Sequence, residues 1–275
     1  MRIAIIGGTG RMGQLFAGVF SRAGHDVAVS GRRTAATNCE VAAAADMVIV
    51  SVPIRKTRAV IEEIAPVLTD RQVIADLTSL KTGPVEAMLA TPAAVCGLHP
   101  MFGPGVSSLK NQLIVATPAR CPPQTLDAIR AIFEAEGAKL LVSTPEEHDR
   151  MMAVVQGLVH YATLCLADAM RRASVDVEGA LLYASPVYRI ELGLIGRILG
   201  QDSGLYGPIL QDNPLVPPLL EAFSRSATEL RRIIEEKDDE AFAAFFGRNS
   251  EAFAGFIPAA TKETDALIAA MAGWP

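Results

Sequence analysis

Short apolar runs alternate with helical patterns through the first half of the chain. Residues 2–6 (RIAII), 26–30 (DVAVS), 46–52 (DMVIVSV), 72–77 (QVIADL), 94–98 (AVCGL), 112–117 (QLIVAT) and 138–143 (AKLLVS) are the runs. Near-continuous apolarity over so few residues is the pattern of a strand covered on both faces. Helical patterns over 11–23, 54–68, 82–90 and 123–136 lie between them. Strands alternating with helices predict a doubly wound parallel sheet of the Rossmann-like α/β class.

The alternation stops near Thr144. Thr144-Pro145-Glu146-Glu147 is a helix start, with Thr at the cap, Pro at the first helical position and Glu three residues after the cap. No strand pattern follows. Helices are predicted over 146–173, 186–200, 203–212, 217–236, 239–256 and 259–272, with Pro214, Pro217 and Pro218 marking the links. The expected organisation is therefore a nucleotide-type domain over 1–144 and an all-α domain over 145–275. The helices at 146–173 and 186–200 are apolar on more than one face. Such helices are normally buried, and in so small a domain burial by a second copy predicts a homodimer. One large monomeric core is the alternative.

Composition narrows the picture. The chain has 275 residues, is 50% hydrophobic and carries a formal net charge of −5. That balance, with no basic run interleaved with aromatics, argues against a nucleic-acid partner. The first apolar run is too short for a signal peptide, and no apolar stretch is long and uninterrupted enough for a bilayer. A cytoplasmic protein is expected, without a membrane partner. Cys39, Cys96, Cys121 and Cys165 are widely spaced and form no C-x-x-C pair, so reduced thiols are expected. The four histidines, His25, His99, His148 and His160, show no metal-ligand spacing.

The candidate chemistry begins at the first turn. Gly8-Thr9-Gly10-Arg11-Met12-Gly13 is G-x-G-x-x-G between a strand and a helix. Gly8 would permit the tight turn, Gly10 the approach of a pyrophosphate, and Gly13 close helix–strand packing. The helix N-terminus would offer N–H groups to the pyrophosphate. At the end of the second strand an acidic residue would select NAD. The chain has Ser30-Gly31-Arg32-Arg33 instead. A hydroxyl and guanidinium groups suit a 2′-phosphate, so NADP is the expected cofactor, with NAD the alternative.

Ser51, Ser79 and His99 each fall just past a predicted strand end, where open α/β sheets bind ligands. Ser79 could equally cap a helix. His99 stands in Leu98-His99-Pro100-Met101-Phe102-Gly103-Pro104, a turn stiffened by two prolines. In the second half Gln156, His160 and Arg189 are polar groups among apolar neighbours. They could be core or surface groups, with Arg189 pairing Glu191 or a partner subunit. Placed in a cleft between nucleotide and helical domains, they would instead give an orienting group and a carboxylate clamp for a small-molecule substrate.

These motifs, taken with Gln156-Gly157-Leu158-Val159-His160 and Ser185-Pro186-Val187-Tyr188-Arg189, resemble the prephenate dehydrogenase family over nearly the whole chain. The His-Pro-Met-Phe-Gly-Pro segment is the most specific. The resemblance implies a stand-alone enzyme, without a preceding chorismate mutase segment, that converts prephenate to 4-hydroxyphenylpyruvate in tyrosine biosynthesis. It implies His99 as the base, Ser79 as its hydrogen-bonding neighbour, Arg189 as the grip on the ring carboxylate, and His160 as a substrate-binding residue. An acidic residue soon after the His-Pro segment goes with recognition of the amine of arogenate. Gly105 stands there, which favours prephenate. Arogenate and 4-amino-4-deoxyprephenate remain alternative substrates. The first thirty-three residues also resemble deazaflavin-dependent NADP reductases, which leave His99 and Arg189 without a task. A non-catalytic NADP sensor would keep the glycine turn alone.

Overall fold

A computed structural model describes residues 1–272. Seven strands form one sheet in the order β2-β1-β3-β4-β5-β6-β7. They are β1 (Arg2–Ile6), β2 (Asp26–Ser30), β3 (Met47–Val50), β4 (Val73–Asp76), β5 (Ala94–Pro100), β6 (Leu113–Arg120) and β7 (Lys139–Val142). The helices of this half are α1 (Arg11–Arg22), α2 (Asn38–Ala44), α3 (Thr57–Ile64), α4 (Thr82–Leu89), α5 (Pro123–Ala135) and α6 (Pro145–Met152).

Side-chain alternation along each strand explains the two layers of helices. Ile3 and Ile5 face a core with Phe16, Phe20, Ile129 and Phe133, from α1 and α5. Ala4 and Ile6 face the other way, onto Val41, Ile61, Ile64 and Met88 from α2, α3 and α4. Successive strand side chains point to opposite faces, so both must be apolar when helices cover both.

The sheet is not wholly parallel. β5 pairs β6 antiparallel, with His99 opposite Val115, and β7 returns parallel to β6. Only residues 101–112 join β5 to β6, with no crossover helix between them, so the chain reverses. α2 was not expected from the pattern, because it is a seven-residue, alanine-rich segment. It is held by a capping box in which the Thr37 side chain accepts from the Glu40 N–H and the Glu40 carboxylate accepts from the Thr37 N–H.

After α6 come a π-helical turn (Ala153–Leu158), α7 (Val159–Arg172), α8 (Val177–Leu181), α9 (Pro186–Leu199), α10 (Ser203–Gln211), α11 (Val216–Glu236), α12 (Asp239–Ala252) and α13 (Ile257–Met271). The chain falls into two compact units. The first holds Met1–Val155 with Gly204–Asn213, and the second Gln156–Ser203 with the residues from Pro214 onward. Within the second, α7 and α13 pack on α9, and α11 on α12. The run Pro145–Arg172 has the length and composition to cross a membrane, contrary to the expectation that no stretch does.

Candidate active site

The glycine turn closes tightly over β1. Gly7 takes a φ of +81°, and a Cβ there would lie 2.2 Å from the Ser51 carbonyl oxygen. The left-handed turn thus falls on Gly7, one residue before the glycine expected to make it. Gly8 and Gly13 serve close packing: a Cβ on Gly13 would sit 2.6 Å from the Gly8 Cα, and one on Gly8 2.7 Å from Val29. Gly10 caps α1 without a side-chain hydrogen bond, leaving the first-turn N–H groups facing out beside exposed Thr9 and Arg11. Met12 packs against the core.

At the end of β2 the Ser30 hydroxyl is buried and donates to Asn38 Oδ1 at 2.8 Å. It is turned away from solvent, whereas Arg32 and Arg33 are exposed on the following loop. Ser51 follows β3 and its N–H bonds the Ile6 carbonyl at 2.8 Å. The glycine turn, a solvent-facing helix N-terminus and two arginines at the β2 end fit a phosphate-bearing dinucleotide.

His99 lies within β5, one residue before its end, and is 3% exposed. Three elements hold it. Phe102 stacks on Phe16 of the core at 6.4 Å between centroids and so pins the loop that follows. Beneath it runs Lys81, fully buried, whose Nζ pairs with Asp76 Oδ2 at the end of β4 and donates to the Leu98 carbonyl at 2.8 Å. Gly97 leaves room for that stem, since a Cβ there would lie 3.2 Å from Lys81 Cδ. The third support is α6, whose start is fixed by Thr144 accepting from the Glu147 N–H, as the sequence predicts. His148 on α6 brings its Nε2 to 2.8 Å from His99 Nδ1, and its own Nδ1 to 2.8 Å from Asp149 Oδ1. Asp149 also accepts the N–H groups of Lys81 at 2.8 Å and Thr82 at 2.9 Å, capping α4. The Asn213 amide donates to the Asp149 carbonyl at 2.8 Å.

The electrostatics follow from this burial. Desolvation pushes the His99 pKa well below the ordinary histidine value, and the neighbouring His148 and Lys81 push the same way. Desolvation opposes ionisation of Asp149, but hydrogen bonds from His148, Thr82 and Lys81 outweigh it and hold its carboxyl below the usual range. Ser79 stands half-buried three residues beyond β4.

The second unit carries the other expected residues. Gln156 is half-buried in the π-helical turn, a feature frequent at functional sites. Gly157 beside it is required by packing, because a Cβ there would lie 2.5 Å from Val216. His160 is half-buried on α7, and burial lowers its pKa. Arg189 is exposed in the first turn of α9, and no ion pair joins it to Glu191 among the described residues.

Sequence reasoning missed Asp76, Lys81, His148 and Asp149. A strand ending in Asp followed by Thr78-Ser79-Leu80-Lys81 was the available signal for the first pair. Nothing local marked His148-Asp149, which follow the charged Glu146-Glu147 first turn, of the kind that is usually solvated.

Comparison with known proteins places this geometry. Residues 22–142 match the family model described as the prephenate dehydrogenase nucleotide-binding domain, and 144–248 the one described as the prephenate dehydrogenase dimerization domain. A probable arogenate/prephenate dehydrogenase of Methanocaldococcus jannaschii is 36% identical over 261 residues, covering 88% of this chain and 58% of that protein. The T-protein of Haemophilus influenzae is 33% identical over 268 residues, covering 97% of this chain and 71% of its own. A crystal structure of prephenate dehydrogenase from A. aeolicus, in complex with hydroxyphenyl propionate and NAD+, shares the fold at a TM-score of 0.73 and 20% identity, covering 92% of this chain and 97% of that one. With both domain models matched in order and a relative 33% identical across 97% of this chain, this chain belongs to the prephenate dehydrogenase family.

Proposed function

We propose that this protein oxidises and decarboxylates prephenate to 4-hydroxyphenylpyruvate in tyrosine biosynthesis, using NADP, with His99 as general base. The observation that carries the proposal is a buried imidazole at the carboxyl end of β5 whose pKa is depressed, so that the ring is neutral and able to accept a proton at neutral pH. A bound nicotinamide supplies the hydride acceptor. As hydride leaves the ring carbon bearing the hydroxyl, His99 takes the hydroxyl proton. The ring carboxylate departs as carbon dioxide, and its bonding electrons make the ring aromatic.

The remaining roles are those the family resemblance implies for these residues. Ser79 hydrogen-bonds the reacting hydroxyl. The Arg189 fork holds a substrate carboxylate, and His160 and Gln156 orient the substrate. Gly8, Thr9, Gly10, Arg11, Met12 and Gly13 seat the pyrophosphate, with Ser51 beside the nicotinamide. Arg32 and Arg33 take the 2′-phosphate; the inward-turned Ser30 hydroxyl supports their loop through Asn38. Gly105, where amine recognition would need an acid, favours prephenate over arogenate.

The working form is a cytoplasmic homodimer built on the second unit. Leu182 and Tyr183 there are 85% and 92% exposed, and α7, α8, α12 and α13 have no fully buried residue among those described. Such faces are normally covered by a second copy.

The test is an absorbance assay for reduced nicotinamide, with prephenate and arogenate each crossed against NADP and NAD. Prephenate with NADP should give the highest kcat/KM. Turnover of arogenate alone would reassign the substrate, and no turnover in any combination would overturn the proposal.

A further inference from the structure

His99, His148 and Asp149 form one buried chain of hydrogen bonds within the first unit. With His99 as the base, the proton positions in it follow from the chemistry of the groups. The Asp149 carboxylate can only accept, and the Lys81 and Thr82 N–H groups at the start of α4 keep it ionised. His148 Nδ1, 2.8 Å from Asp149 Oδ1, therefore carries a proton.

Nδ1 of His99 is engaged with His148, so as a base His99 must take the substrate proton on Nε2 and carry its own proton on Nδ1. His99 Nδ1 is then the donor in that bond and His148 Nε2 the acceptor. His99 thus holds its single proton on Nδ1, and Nε2 is its basic nitrogen. A neutral imidazole in water prefers the opposite tautomer, so the chain of bonds reverses an intrinsic preference.

We infer that His148 and Asp149 are positioning residues that lock His99 in the Nδ1–H tautomer and so select Nε2 as the atom that takes the substrate proton, an inference that rests on His99 being the base. Once Nε2 is protonated, the imidazolium keeps donating through Nδ1 to His148, and Asp149 balances the charge from the far end. This is the logic by which a carboxylate orients a catalytic histidine in hydrolases, extended by one ring. Asp76 faces Lys81 from β4 and pairs with its ammonium.

Long-range 1H–15N correlation spectra of the full chain read the tautomer directly. The chain has 4 histidines, and the His99 signals are those missing in His99→Gln. In the wild-type protein above neutral pH, His99 Nδ1 should resonate as the protonated nitrogen and Nε2 as the bare one. In His148→Phe, which removes the acceptor, the two should exchange character. There kcat should fall at least about tenfold, with KM for prephenate within about twofold. In His148→Gln a side-chain carbonyl can accept in place of Nε2, so tautomer and most of the turnover should return. A wild-type His99 protonated on Nε2 would overturn the inference without any variant having to fold. So would a His148→Phe enzyme with unchanged tautomer or unchanged kcat. Normal turnover in His99→Gln would remove the base assignment itself, and that outcome is distinct because the tautomer spectrum is read without substrate.

Discussion

Replacing Lys81 with Met isolates the ion pair beneath His99. The ammonium is fully buried, pairs with Asp76 and donates to the Leu98 carbonyl at 2.8 Å, next to His99. Met keeps much of the stem volume, so the cavity contribution is small. The Asp76 carboxylate then keeps only its bonds from Thr78 in a site without solvent. Removing one partner of a buried pair costs about 3–5 kcal/mol. For a unit of this size, at about 2–4 °C per kcal/mol, Tm should fall by roughly 6–20 °C. The double variant Lys81→Met/Asp76→Leu removes both charges and should recover most of that loss, since a well-packed apolar pair is about as stable as a buried ionic one. Thermal and urea unfolding of the wild type, both single variants and the double variant complete the cycle. A Lys81→Met loss under about 1 kcal/mol, or a double variant as unstable as the two singles added together, would refute the reasoning.

Four further outcomes follow from the proposed roles. The His99 pKa lies below the ordinary value of about 6.5, so the acid limb of kcat/KM should fall below that pH. The unfolded chain binds this proton more readily than the native one, so stability falls with pH from the ordinary histidine value down to the folded one, by up to about 1.4 kcal/mol per pH unit. Urea unfolding from pH 7.5 to 5 should show that slope flattened in His99→Gln, and equal slopes would contradict it. If Arg32 takes the 2′-phosphate as proposed, Arg32→Ala should lower the NADP-to-NAD preference at least about tenfold, read as the ratio of kcat/KM values. Arg189→Ala should raise KM for prephenate by about 10–100-fold without changing affinity for NADP; an unchanged KM would rule out the clamp.

Local pattern carried the layered half of the fold well. Ile3 and Ile5 against Ala4 and Ile6 is a two-faced strand, and Thr144-Pro145 fixes a helix start within one turn. Strand direction was a different matter. Residues 113–117 are equally apolar whichever way they run, and only the missing helix between Phe102 and Gln112 hinted at the reversal. His99 stood out because Pro100 and Pro104 frame it. His148 and Asp149 did not, because a charged first turn looks like solvent-facing helix until α6 is packed against β5 and α4. Lys81 likewise reads as a surface lysine until Gly97 makes room for it. These residues gain their roles from contacts 17 to 68 positions away, beyond the reach of a pattern read one segment at a time.

The most direct test of the account is turnover by His99→Ala, measured beside its affinity for NADP. The account predicts that kcat with prephenate drops by about 10²–10⁴-fold while the Kd for NADP stays within about twofold, since a base acts in the transition state and not in cofactor binding. A folded His99→Ala protein that turns prephenate over within a few fold of the wild type would contradict it.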